Sequence, residues 1–439
     1  MAGLSRAEDR RGYDRSTMDR LFVTGGARLH GSVRVAGAKN SALKLMAAAL
    51  LAEGRSVVRN APRISDCTVM AEMLEHLGVI VSREGDAVAL DASDLHDEEA
   101  PHDLVRQMRA SIVVLGPLLA RRGRARVSMP GGDEIGARPV DLHVRGLERM
   151  GASVHAEHGF LIAEANGLLG AMLTLDYPSV TATENLMMAA TTARGTTVID
   201  NAAREPEIAD VASFLVAMGA RIQGAGSSTI EVEGVKELHP ADHTTLPDRI
   251  EAGTWVAAAA ATRGDVTIEN ARPDHLELLL TKLADAGADI GMTDQGLRVR
   301  QADRVRAMDF VTLPYPGIAT DFQPILMALL ATAEGTSIAT ENVFESRFLY
   351  VGELVRMGAD IRTEGHHAVI RGVPHLSAAP VRALDIRAGA AMTIAGLTAE
   401  GVTEIADMQH VDRGYEDFEA KLASLGAEVR RERELVELP

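Results

Sequence analysis

Of 439 residues only one, Cys67, is a cysteine. That excludes disulfides within the chain and cysteine-based metal sites, and it fits a reducing compartment. Aromatic residues make up 3% of the chain, with a single tryptophan, Trp255. Cations are the minority charge: 45 Lys and Arg against 62 Asp and Glu leave a net charge of −17. An acidic balance with few aromatics argues against a nucleic-acid partner, which would use a basic face or stacking platforms. No apolar run reaches the roughly 18 residues of a membrane-spanning helix. Residues 1–20 are charged and have no apolar core, so they read as a disordered extension and not as a secretory signal. Hydrophobic content of 46% with 24% charge is that of a globular enzyme, and the length allows two or three domains.

What the chain has in abundance is repetition. A small-residue helical stretch ends at Gly54, Gly123, Gly195, Gly264, Gly335 and Gly401, and a β-branched run follows each time. A second glycine comes about 25 residues later, at Gly78, Gly151, Gly219, Gly287, Gly358 and Gly426, with successive spacings of 73, 68, 68, 71 and 68. Each unit alternates helical and strand periods, which predicts six βαβαββ modules and an α/β fold of two three-module domains. From first glycine to second the units run 24, 28, 24, 23, 23 and 25 residues. The second is longest because of the stretch Pro130 to Pro139, a glycine-rich insertion that reads either as a surface loop or as a loop with a catalytic task.

The repeats also align charges. Fourteen or fifteen residues before the first glycine stand Lys39, Arg109, Thr181, Arg249, Asp321 and Arg387, each just ahead of a small-residue helix. Helix N-termini attract anions, and cations placed there cost about 0.3–1 kcal/mol each. A bound phosphate or carboxylate would offset that cost. A second series, Arg138 and Arg413, lies 13 residues before the second glycine, with Arg347 at 11. The other signals are weak. Gly224-Ala225-Gly226 lacks the rest of a dinucleotide fingerprint, His366-His367 reads as part of a hairpin turn, and Trp255 reads as packing.

Several longer motifs are specific. They are Gly37-Ala38-Lys39-Asn40-Ser41-Ala42-Leu43, Met108-Arg109-Ala110-Ser111, the stretch Pro130 to His143, Asn201 to Glu207, Leu246-Pro247-Asp248-Arg249-Ile250, Thr320-Asp321, Glu341 to Glu345, and Asp412-Arg413-Gly414-Tyr415. Through them the chain resembles the UDP-N-acetylglucosamine enolpyruvyl transferases from about residue 20 to 432. The resemblance implies the enolpyruvyl transferase fold, with two inside-out α/β domains closing over a cleft. One domain would span 39–246 and carry the loop; the other would combine 21–38 with 247–439. It also implies transfer of the enolpyruvyl group of phosphoenolpyruvate to the 3-hydroxyl of UDP-N-acetylglucosamine, with release of phosphate, in the first committed step of peptidoglycan synthesis in the cytoplasm. No metal or other cofactor is implied, and no membrane or nucleic-acid partner.

Residue by residue, the resemblance gives Lys39, Arg138, Arg387 and Arg413, with Arg347 and Arg109 near by, to the anions. Asp321 matches the base for the hydroxyl and Asp133 the proton donor to the enol carbon. The nucleotide side takes Asn40, Arg109, Arg138, Pro139, Val140, Asp141, Leu142, Ser179, Val180, Asp321 and Val343. The chain departs from the usual pattern at Asp133, where cysteine is commonest, at Thr181 after Ser-Val, and at Ile318-Ala319. Thr181 either crowds the diphosphate, donates its hydroxyl, or is a neutral variation. Cations on both sides predict repulsion between domains until anions draw them together. Three other readings stand beside this one: the shikimate-pathway transferase, whose lysine-serine motif would replace Lys39-Asn40; a paralogue acting on another uridine nucleotide; and a non-catalytic nucleotide-sugar binder.

Overall fold

The computed structural model describes residues 17–129, 135 and 140–435. Two hydrophobic cores organise it. One is built from residues between Ala42 and Leu238, the other from Leu21 to Val35 together with Ile250 to Ala427. At the centre of the first lie the helices Lys39–Ala48, Leu115–Arg122 and Val180–Ala190; at the centre of the second lie Arg249–Ala261, Phe322–Leu330 and Ile386–Thr398. The Arg249 helix is buried at every position but Ala261, and the Ile386 helix at every position but Thr398. Helices apolar all round must be enclosed, which is why alanine and glycine dominate them: small side chains let three helices share one axis.

Sheets wrap the outside. Among the described residues there are six of four strands, each with an outer helix such as Ser65–His76 or Pro206–Ala217. The strand after each core helix pairs in parallel with a short edge strand, as Arg55–Arg59 does with Asp242–Thr244. The alternation of buried and exposed residues along Thr229–Glu233 (exposed, buried, exposed, buried, exposed) is the half-buried strand pattern expected of such an outer layer. The described residues thus form two inside-out α/β halves, each with core helices within and three four-stranded sheets outside.

The chain's first strands belong with its second half. His30–Arg34 pairs in parallel with Asp265–Glu269, and Thr17–Thr24 lies between Val402–Ala406 and Glu428–Leu435. The extension expected to run to Arg20 is therefore corrected at its end: Thr17 to Arg20 are strand, paired with Leu435 to Glu432. Their charge is accommodated by pairing: Asp19 is buried against Arg431, and Arg20 meets Glu404 at 2.9 Å. Residues 1–16 lie outside the described residues.

The second glycines of all six units have φ between 89° and 107°, the left-handed conformation that ends an outer helix. One first glycine differs. At Gly264 the left-handed residue is its neighbour Arg263, φ 54°, and the glycine is needed because a Cβ would stand 2.3 Å from the Leu29 carbonyl oxygen.

Two antiparallel crossovers join the domains. Gly37 bridges Pro247, Ala38 N–H donates to the Leu246 carbonyl at 2.8 Å, and Asp248 N–H to the Ala36 carbonyl at 2.9 Å.

Candidate active site

The positions aligned in the sequence fall at core-helix N-termini. Lys39 and Arg249 are first residues, Thr181 and Arg387 second residues, and Asp321 is an N-cap; Arg109 opens the short turn Arg109–Val114 that leads into Leu115–Arg122. The crossover carboxylate Asp248 serves two helices. Its Oδ1 accepts Ile250 N–H at 2.8 Å and Glu251 N–H at 3.0 Å, while Oδ2 accepts Lys39 N–H at 3.0 Å. Asp385 caps the Arg387 helix in the same way, accepting Arg387 N–H at 2.7 Å and Ala388 N–H at 2.9 Å.

Lys39, Arg413, Arg387 and Arg347 converge, and each of these four meets a carboxylate. Asp66 sits between Lys39 Nζ, 2.8 Å from Oδ2, and Arg413 Nε, 3.0 Å from Oδ1. Arg387 Nε donates to Asp321 Oδ2 at 2.8 Å and its guanidinium lies 5.2 Å from the Tyr415 ring centroid. Arg347 reaches Asp385 at 3.7 Å and the Thr320 carbonyl at 3.3 Å. Asp66, from the first half of the chain, stands between Lys39 and Arg413 and offsets part of the expected repulsion between the two cation sets, which Lys39 still feels from Arg413 and Arg387. Asp66 and Asp385 were given no role in the sequence reading. The signal for Asp385 was present, two residues ahead of Arg387 as Asp248 is ahead of Ile250; Asp66 had none, because its partner Arg413 is 347 residues away.

The protonation states follow from burial and charge. Burial lowers the Lys39 ammonium, Asp66 opposes, and nearby Arg413 and Arg387 lower it further. Burial alone would raise Asp66, but Lys39 and Arg413 outweigh it and hold it below the usual carboxylate range. At Asp321 burial again raises, and Arg387, Arg347 and Arg249 overcome it, bringing the carboxyl down to about 2. Both carboxyls lie below their free value of 3.8, so their stabilisation is full above that pH and is lost as pH falls through the folded values. Asp66→Ala should cost about 3–5 kcal/mol of unfolding free energy, because it strands two cations beside each other. Urea melts should show that difference near neutral pH and show it shrinking as pH falls below about 4.

Of the residues that the resemblance gives to the nucleotide, Ser179 caps its helix by accepting Ala182 N–H at 3.4 Å, and Val180 is the first helical residue. Val140 is buried and precedes the helix Asp141–Arg149, where Asp141 pairs with Arg145 at 2.6 Å and Leu142 is half-buried. Thr181 Oγ1 lies 3.4 Å from His143 Nε2, whose Nδ1 takes 2.9 Å contact from Asn185 Nδ2. Across the cleft, Glu341 accepts the N–H groups of Val343 at 2.8 Å and Phe344 at 3.1 Å, and the Thr320 hydroxyl at 3.0 Å. Glu341 thus ties the Val343 turn to the residue before Asp321. Asn40 is half-buried on the first turn beside Lys39. Asp133, Arg138 and Pro139 lie outside the described residues, but Ile135 of the same loop gives its carbonyl to Ser346 N–H at 3.2 Å, next to Arg347. The hairpin turn at Gly365-His366 joins strands Asp360–Glu364 and His367–Arg371, and Trp255 is buried with its indole N–H on Glu251 at 3.0 Å. No group of three or more metal-ligating side chains occurs among the described residues, and no described helix is long and apolar enough to cross a membrane.

Comparison with known proteins places this arrangement in company. The family model of EPSP synthase (3-phosphoshikimate 1-carboxyvinyltransferase) matches residues 23–422. A UDP-N-acetylglucosamine 1-carboxyvinyltransferase of Corynebacterium jeikeium is 54% identical over 413 residues, covering 94% of this chain and 99% of that one. One from Trichlorobacter lovleyi is 51% identical over 415 residues, again covering 94% and 99%. Among solved structures, an enolpyruvyl transferase from Streptomyces tendae superposes with a TM-score of 0.85 at 27% identity, covering 95% of this chain and 99% of that chain.

Proposed function

We infer that this chain, which belongs to the enolpyruvyl transferase family and groups there with the UDP-N-acetylglucosamine 1-carboxyvinyltransferases, transfers the enolpyruvyl group of phosphoenolpyruvate to the 3-hydroxyl of UDP-N-acetylglucosamine and releases phosphate. This is the enolpyruvyl transfer step of peptidoglycan synthesis, and its two phosphorylated substrates fit a cytoplasmic location. The observation that carries the site assignment is the convergence of Lys39, Arg387 and Arg413 from both domains around Asp66 and Asp321. We assign the domains as 39–246 and 21–38 with 247–439, a division supported by the two separate cores.

In the mechanism we propose, the phosphate and carboxylate of phosphoenolpyruvate compete with Asp66 and Asp321 for Lys39, Arg413 and Arg387, with Arg138, Arg347 and Arg109 completing the clamp. Preorganised cations of this kind commonly supply the largest share of rate enhancement. A carboxyl titrating near 2 is a weak base, so the exchange has a second effect. Once Arg387 turns to substrate, Asp321 loses its strongest cationic partner and becomes more basic. It then takes the proton of the 3-hydroxyl as that oxygen attacks the second carbon of phosphoenolpyruvate. Asp133 gives a proton to the methylene, making a methyl and a tetrahedral adduct. Breaking the carbon–oxygen bond to phosphate, with a methyl proton returning to the Asp133 carboxylate and the Asp321 proton leaving with the phosphate, restores the carbon–carbon double bond in the product. Asn40, Pro139, Val140, Asp141, Leu142, Ser179, Val180 and Val343 would hold the nucleotide sugar.

Phosphate release on mixing the two substrates tests the reading. The expected result is stoichiometric phosphate that depends on UDP-N-acetylglucosamine. Release with shikimate 3-phosphate, or only with another uridine nucleotide, would overturn it.

A further inference from the structure

One turn along the Lys39 helix lies a buried pair that the chemistry above does not use. Lys44 is 3% exposed and Glu184, on the Val180–Ala190 helix, is 0% exposed. Lys44 Nζ stands 3.5 Å from the Glu184 carboxyl and donates to the Asn40 carbonyl at 2.5 Å. Neither Glu184 oxygen has a hydrogen-bond partner among the described residues. Burial pushes this carboxyl up to about 8, with Lys44 opposing and Glu207 and Glu205 adding to the rise. Lys44 brings its charge to the Asn40 carbonyl.

Packing does not account for such a pair. Each buried charge carries several kcal/mol of desolvation, and replacing both partners by apolar groups of similar volume is often neutral or stabilising. Its location suggests a different use. The first turn of the helix is fastened at three points: Lys39 N–H on Asp248, the Ser41 hydroxyl on Asp210, and the Asn40 carbonyl on Lys44. Two of these hold residues on either side of Asn40. Only the third acts on Asn40 itself, between the ammonium that meets phosphoenolpyruvate and the amide that meets the sugar.

We propose that Lys44, held in place by Glu184, is a positioning residue for enolpyruvyl transfer: its ammonium grips the Asn40 carbonyl and fixes the first turn so that Lys39 and Asn40 meet both substrates in register. This rests on the reading of Lys39 and Asn40 as substrate-binding residues. Misplacement of a reacting pair by about 1 Å can cost about 10²-fold in rate.

The test uses Lys44→Met, Lys44→Arg and the double variant Lys44→Met/Glu184→Leu, with melting temperature, kcat and both KM values measured together. The double variant should melt at or above the wild-type temperature while losing about 10- to 100-fold in kcat. Lys44→Arg, which can still donate to the carbonyl, should keep most of the turnover that Lys44→Met loses. Wild-type kinetics in the double variant would overturn the proposal, and so would a double variant that melts far below wild type, since the pair would then be a stabilising element. Lys39→Ala is the control: an unchanged KM for phosphoenolpyruvate there would refute the reading of Lys39, not the role of Lys44.

Discussion

Asp133→Asn is expected to bind UDP-N-acetylglucosamine as the wild type does and to lose about 10²–10⁴ in turnover, the range for removal of a general acid. That loss corresponds to about 3–5 kcal/mol of transition-state stabilisation. The argument is one of proton supply. Asparagine keeps the size and polarity of the side chain but has no acidic proton to give the enol carbon. A free aspartic acid has a pKa near 3.9, so the loop must raise it, and desolvation is the available means. The described residue of that loop points the same way: Ile135 is buried and its carbonyl takes a bond from Ser346 in the other half of the molecule. The pH profile of kcat should therefore fall on an alkaline limb well above 4, where the raised carboxyl loses its proton, and that limb should vanish in Asp133→Asn. Near-normal turnover in the variant would remove Asp133 from the mechanism.

The parts of this architecture legible in the sequence are those written in local patterns. Glycines at outer-helix ends repeat because a left-handed φ is needed six times, so the unit count followed from spacing alone. The helix starts at Lys39, Arg249 and Arg387 were visible because a cation ahead of an alanine-rich run is unusual for helix stability. The carboxylates that receive these cations were not visible. Asp66 looks like any first-turn acid of an amphipathic helix, favoured there by the helix dipole; only the fold brings it to Arg413. Lys44 likewise reads as an ordinary residue in KNSALKLMAA until Glu184 is packed against it. Long-range pairing of charges leaves no periodic trace, so composition and spacing are silent about it. Thr181 departs from the usual pattern in the sequence, but only the fold brings its hydroxyl to 3.4 Å from His143 Nε2.

The cysteine count carries the other large prediction. Fosfomycin, an epoxide analogue of phosphoenolpyruvate, alkylates the loop thiolate of the cysteine-containing members that this chain resembles. A thiolate attacks an epoxide far more readily than a partly protonated carboxyl does. The one sulfur nucleophile here is Cys67, and it is not available. It is 3% exposed within the helix Ser65–His76, and burial pushes its thiol up to about 12, with Asp66 and Glu416 adding and Arg83 and Lys39 opposing. At pH 7 a thiol titrating near 12 is about one part in 10⁵ thiolate. The wild-type protein should therefore show no mass increase after incubation with the drug, and any inhibition should reverse on dilution. Asp133→Cys should acquire time-dependent inactivation with one equivalent bound, while keeping substantial turnover, because cysteine can give the same proton. Intact-mass spectrometry reads both outcomes directly. A stoichiometric adduct on the wild-type chain that maps between Pro130 and Pro139 would mean that the loop carboxyl is itself a strong nucleophile, and the assignment of Asp133 as a proton donor would have to give way to a covalent role.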